Sequence, residues 1–158
     1  MANRSTQLSE RLKKFNDEVI AFVEGLSEGD WKKLCKPEDW PVGVTARHIG
    51  ASHYQAALMA KMIINGRKLP ELTADEITEA ANLHAREHAD CTKAEVLEIL
   101  KIEGNAMAEF VRGLSDPELD RSGRLFATGR DMTAEQFIDA VVLKSAKGHF
   151  ESMKAAVA

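Results

Sequence analysis

Cysteine is scarce: Cys35 and Cys91 are the only two thiols in 158 residues. Two are too few for a disulfide framework, and they stand in no metal-binding spacing, so a reduced chain that folds without staples is expected. Neither has a histidine base nearby in sequence, which argues against a catalytic thiol. Proline and glycine are sparse as well, at 4 and 10 residues, which excludes collagen-like and low-complexity chains. No run reaches 18 apolar residues, and the opening stretch MANRSTQLSERLKK lacks the apolar segment of a signal peptide. Neither a membrane partner nor export is expected, and the expected location is cytoplasmic. An excess of positive charge is missing too. Lys and Arg number 21 against 25 Asp and Glu, a net charge of -4, and no block of five like charges occurs. Electrostatics therefore give no reason to expect nucleic acid as a partner.

The residues that are present read as helix. The length suits one domain over 1–158. A chain of this size can bury about two-thirds of its extended surface in one core. Leu8, Leu12, Phe15, Val19, Phe22 and Leu26 recur at steps of three and four, predicting a first helix over about 6–25. Ser27 and Asp30 form a capping pair for a short turn, 37–43 is a connector, and a second helix is predicted over about 44–65 with Gly66 beyond its end. Thr73 with Glu76, Thr92 with Glu95 and Thr133 with Gln136 fit capping boxes. They mark helices over about 74–89, 93–114 and 134–156. Ser115-Asp116-Pro117-Glu118 reads as a turn, and 120–132 as a loop or irregular crossing segment. Strand signal is slight. The expected fold class is all-α, a bundle of four principal helices with an additional short helical segment.

The chemistry on offer is imidazole. The chain has five histidines: His48 and His53 on the second helix, His84 and His88 on the third, and His149 on the last. Imidazoles bind zinc, nickel or iron at neutral pH, and three of them leave a position open for water or substrate. No His-Glu-x-x-His or Cys-x-x-Cys segment is present. His48 lies at the border between a side carrying Val44, Ala51 or Ser52, and Gln55 and an apolar side carrying Ile49, Ala56, Ala60 and Ile63. It either faces an inter-helix pocket or serves core hydrogen bonds. His53 is one and a half turns further on and is expected to point elsewhere. His149 shares a stripe with Val142, Ser145 and Met153 that is expected to face the bundle. His84 and His88, spaced i,i+4, form a rival pair, although HAREHAD reads equally well as polar surface. Glu103, amid Leu100, Met107 and Phe110, reads as an acid near the core or as part of a solvated face.

Taken together the pattern resembles the DinB/YfiT-like superfamily. The resemblance is carried by Asp39-Trp40-Pro41-Val42-Gly43-Val44-Thr45-Ala46-Arg47-His48, in which a Trp precedes a histidine by eight positions. It continues through Asn82, the turn over 114–120, Gly129 and Lys147-Gly148-His149-Phe150. It implies an up-down-down-up four-helix bundle, a homodimer, and a pocket for a divalent transition metal (Zn, Ni or Fe). The metal would be held by one histidine of the second helix and a His-x-x-x-His pair of the last. His48 and His149 match the first and third of these positions, and Ser145 stands at the middle one. A neutral hydroxyl is a weaker ligand than an imidazole, so the resemblance leaves the third position to water or to His53, His84 or His88. It further implies a metal-dependent enzyme, a thiol-dependent transferase or a hydrolase acting on a small molecule. The alternative is a non-catalytic small-molecule-binding or stress-related bundle with a degenerate metal site.

Overall fold

The first helix is built on the apolar stripe read from the sequence. In a computed structural model, which describes residues 3–158, α1 runs over Arg4–Glu24 and buries Leu8, Leu12, Phe15, Val19 and Val23 along one face. Each such side chain contributes roughly 1.5–3 kcal/mol when withdrawn from water. The Asn3 side chain accepts from the Thr6 amide and starts the helix. Ser27 and Asp30 cap a short α2 (Glu28–Trp31) reciprocally.

The predicted connector is more ordered than the sequence reading allowed. β1 (Leu34–Cys35) and β2 (Trp40–Pro41) pair antiparallel as a small hairpin. Its turn holds Asp39 at a positive φ of 59°, a conformation that Asp tolerates better than most residues. The hairpin leads directly into a long helical rod over 42–64. This rod is not uniform: α3 (Val42–His48) is followed by a π-helical segment (Ile49–Tyr54), a 3-10 turn (Ala57–Met59) and α4 (Ala60–Ile64). Gly66, at φ 69°, takes the left-handed position beyond its end.

The capping signals mark the remaining starts. Thr73 and Glu76 open α5 (Ala74–Glu87) with a complete capping box, and the Thr92 hydroxyl accepts from the Glu95 amide at the head of α6 (Lys93–Arg112). Ser115 and Glu118 cap a short α7 (Asp116–Leu119) where the sequence reads as a turn. The stretch expected to be irregular is a hairpin: β3 (Ser122–Leu125) pairs antiparallel with β4 (Arg130–Thr133), turning at Gly129. The local polarity of this hairpin, with neither strand fully buried, hides it from an apolar-period search. The last rod comprises α8 (Ala134–Phe137), a second π segment (Ile138–Lys144) and α9 (Ser145–Val157).

The four principal layers are α1, the rod over 42–64, α6 and the rod over 134–157, and together they form a four-helix bundle. α1 lies along α6, the second rod's π segment packs on α6, and α3 packs on α9. Phe150 fastens the last rod to α1 through edge-on contacts with Phe15 and Phe22. α5 stands apart in kind, since none of its residues is buried. Cys35 is buried and Cys91 half-buried, and both are free. Among the described residues no helix is long and apolar enough to cross a membrane.

The rod that carries His48 is pressed against α2. A Cβ on Gly43 would lie 2.2 Å from the Trp31 ring, whose Nε1 is already committed to donating to the Cys91 carbonyl at 3.1 Å. Gly43→Ala is therefore expected to destabilise the fold by about 1–3 kcal/mol through overpacking, against alanine's better helix propensity. Urea unfolding of the two proteins measures the difference; an alanine variant as stable as wild type would show that the Trp31 contact is slack.

Candidate metal centre

His48 closes α3, and His53 sits five residues later within the π segment. In an α-helix of 3.6 residues per turn those positions diverge by roughly 140°. The wider π turn, closed by i→i+5 hydrogen bonds, returns positions five apart to one side of the rod. The His48 and His53 rings accordingly lie 4.9 Å apart between centroids. His149, on α9, comes to 5.0 Å from each. One ring nitrogen of each of the three imidazoles lies within 4.8 Å of the others. The expectation that His53 points elsewhere is thus corrected. It assumed an unbroken α period, and the π turn removes that period.

Ser145 is corrected as well. It was read as facing the bundle beside His149, but it is exposed, and its hydroxyl donates to the Ala140 carbonyl at 3.2 Å. The Ser145 amide donates to the same carbonyl, the i→i−5 bond that closes the second π segment. His84 and His88 gather elsewhere, with Glu87, at the end of α5. Glu103 is half-exposed on α6 and belongs to neither group.

The orientation of two of the three rings is fixed from behind. His53 Nδ1 lies 3.0 Å from the Val141 carbonyl. A carbonyl only accepts, so Nδ1 carries the proton and Nε2 carries a lone pair. That Nε2 is buried and has no hydrogen-bond partner. His149 Nδ1 lies 2.7 Å from Glu38 Oε2, with the carboxylate 8% exposed and the imidazole 21% exposed. A carboxylate behind a ring nitrogen is the arrangement that orients metal-ligating histidines. Glu38 Oε1 is also buried without a partner. No sequence pattern marks Glu38, which lies in a turn with no hydrophobic period.

Trp40 closes the remaining side. Its ring lies edge-on to His48 at 4.9 Å and is stacked near His149 at 6.0 Å, while its Nε1 donates to Asn82 Oδ1 on α5. Burial pulls the His48 imidazole down to about 3 and the His53 imidazole down to about 4, with neighbouring imidazoles adding to the effect. Both rings are therefore neutral at pH 7, with lone pairs free to bind a cation. A cavity of about 420 Å³ is lined by Glu38 and Trp40 together with Val44, Asn82 and Arg86; it meets the group through Glu38 and Trp40, and none of the three histidines lines it.

Residues 11–143 match the DinB superfamily, and the chain belongs to that superfamily. Among solved structures it is similar to YfiT from Bacillus subtilis, described as a probable metal-dependent hydrolase with an unusual four-helix bundle topology. The likeness has a TM-score of 0.76 at 14% identity and covers 99% of this chain and 88% of that one. No curated protein matches the sequence.

The lowered proton affinities fix the sign of a pH dependence. In the metal-free protein, unfolding releases His48 and His53 to an ordinary value near 6.5. The unfolded chain then binds more protons than the folded one below that pH, so stability is full above it and is lost as pH falls toward 4. Each histidine contributes a slope of up to about 1.4 kcal/mol per pH unit. Urea unfolding of metal-free protein at a series of pH values is expected to show this loss, reduced in His53→Gln. A wild-type stability that is flat between neutral and mildly acidic pH would contradict the buried, neutral imidazoles.

Proposed function

We propose that this protein is a metal-dependent hydrolase whose ion is held by His48, His53 and His149. The observation that carries the reading is the buried, unpartnered His53 Nε2 in a group of three imidazoles. A lone pair buried without a donor costs about 1–3 kcal/mol, and a cation is what such a group accommodates. The donor set fits. Three imidazole nitrogens suit zinc, nickel or iron and leave a coordination position open. The resemblance to a bundle described as a probable metal-dependent hydrolase supports the same reading.

Bound in such a set, a divalent ion supplies a water of lowered pKa and polarises a carbonyl or phosphoryl oxygen. The protein's own groups do the rest. The Val141 carbonyl holds the His53 proton on Nδ1, and Glu38 Oε2 holds the proton of His149 on its Nδ1, so both Nε2 lone pairs stay available. Glu38 acts through His149, orienting that ring, with its Oε1 buried and unpaired beside the bond. Trp40 walls the rings from solvent and forms one side of the cavity of about 420 Å³, a volume that suits a small-molecule substrate. The reading of a bundle with a degenerate site rested on Ser145 at a histidine position, and a third imidazole from His53 weakens it. The similarity to a bundle described as a probable metal-dependent hydrolase favours hydrolysis over thiol transfer.

Metal analysis tests the assignment. Purified wild type is expected to retain one ion per chain at these residues, and His48→Ala, His53→Ala and His149→Ala to lose it. Glu38→Gln is expected to weaken affinity by roughly 10–100-fold, whereas Ser145→Ala leaves it unchanged. Full occupancy in His53→Ala would reject the ligand set. A panel of ester, amide and phosphoester substrates, assayed with and without chelator and with added low-molecular-weight thiols, separates hydrolysis from transfer; turnover that requires a thiol would overturn the hydrolase reading.

A further inference from the structure

The second group of histidines is not absorbed by this function. His84 and His88 occupy the last turn of α5 and its cap, spaced i,i+4 on one face, with ring centroids 4.7 Å apart. Glu87 lies between them in sequence, and one ligand atom from each of the three falls within 4.8 Å of the others. Both imidazoles are half-buried, while the carboxylate is exposed. We propose that His84 and His88, with the Glu87 carboxylate, form a second divalent-metal site at the end of α5, separate from the three-imidazole centre.

Two features of the surroundings favour a cation here, and one opposes it. The site is at a helix C-terminus, where the last carbonyls present the negative end of the macrodipole. Arg47 lies near His88 and opposes a cation, with the Glu87 and Glu95 carboxylates also close. Finally, the pair borders a gap of about 10 Å³ lined also by Val44, Arg47, His48 and Ala85. That is about the room a single water needs, so the site has an inner, polar-lined side and is not a pair of rings on open surface.

The ion would do structural work that the sequence otherwise leaves undone. α5 buries none of its residues, and Ile77 and Leu83 are 45% and 50% exposed. Its side-chain tie to the hairpin is the Trp40–Asn82 hydrogen bond. Yet α5 supplies Asn82, Ala85 and Arg86 to the cavity beside the metal centre. An ion that bridges positions i and i+4 binds the helix and not the unwound chain, so it stabilises α5 by linkage and firms one wall of that cavity. The second site does not depend on what the first centre does.

Zinc titration by calorimetry, on protein stripped with chelator, reads the number of sites directly. Wild type is expected to take up two equivalents. His84→Ala/His88→Ala, helix-compatible and away from the core, is expected to take up one, and His48→Ala/His53→Ala the other one. Circular dichroism establishes that each variant is folded; should the second fail, His149→Gln replaces it. In His48→Ala/His53→Ala, zinc is also expected to slow amide hydrogen exchange along α5. Equal uptake by wild type and His84→Ala/His88→Ala overturns the second site and leaves the first standing. Loss of one equivalent in His84→Ala/His88→Ala with none lost in the other pair sustains the second site and overturns the first. Absence of zinc binding by wild type overturns both.

Discussion

The hydrogen bond from His53 Nδ1 to the Val141 carbonyl joins the π segments of two different rods, and the candidate centre depends on it. A π turn is a rare local departure from the α ladder and is frequent at functional sites. Here one such turn brings His53 round beside His48. The other, over Ile138–Lys144, contains the carbonyl that receives the ring. The bond sets the tautomer of His53, which decides that the buried nitrogen is an acceptor, and an acceptor is what a cation needs. The remaining features of the site, from Glu38 to Trp40, arrange themselves around rings whose place is set by these two departures.

The hairpin between α2 and α3 performs the matching task for His149. Its left-handed residue, Asp39, lets the chain turn within a few residues, so that Glu38 faces α9 and Trp40 faces both His48 and His149. Strain of this kind is kept where surrounding structure holds it, and often where function uses it. Gly43 then allows α3 to start close against Trp31. A short segment of the chain, from 38 to 48, thus supplies an orienting carboxylate, an aromatic wall and an imidazole to one place. This is the segment on which the resemblance to the superfamily rested.

The fold was legible because its signals are local. Caps at Thr73, Thr92 and Thr133 and the stripe from Leu8 to Leu26 mark helix starts and buried faces within a few residues of where they lie. The family resemblance added the expectation that His48 and His149 meet, and they do. His53, Ser145 and Glu38 were not legible for one physical reason. Each depends on a backbone departure, a π turn or a positive φ, that no hydrophobic period records. Reading 44–65 as one α-helix turns His53 away, and reading 134–156 likewise keeps Ser145 on the side of His149. The two hairpins escaped for a related reason, since strands of two and four residues carry too little alternation to be seen. Family membership and the shared bundle, at 14% identity to YfiT, show that such an architecture persists while the residues within it are exchanged.

The account stands or falls on whether three imidazoles, including His53, surround one ion. Zinc K-edge X-ray absorption on protein carrying His84→Ala/His88→Ala, loaded with one equivalent of zinc, measures this at the metal itself. The account predicts three imidazole nitrogens near 2.0–2.1 Å with a lighter oxygen donor completing the shell, and two imidazoles when His53→Ala is added. A zinc shell with the same number of imidazoles in both proteins would contradict it.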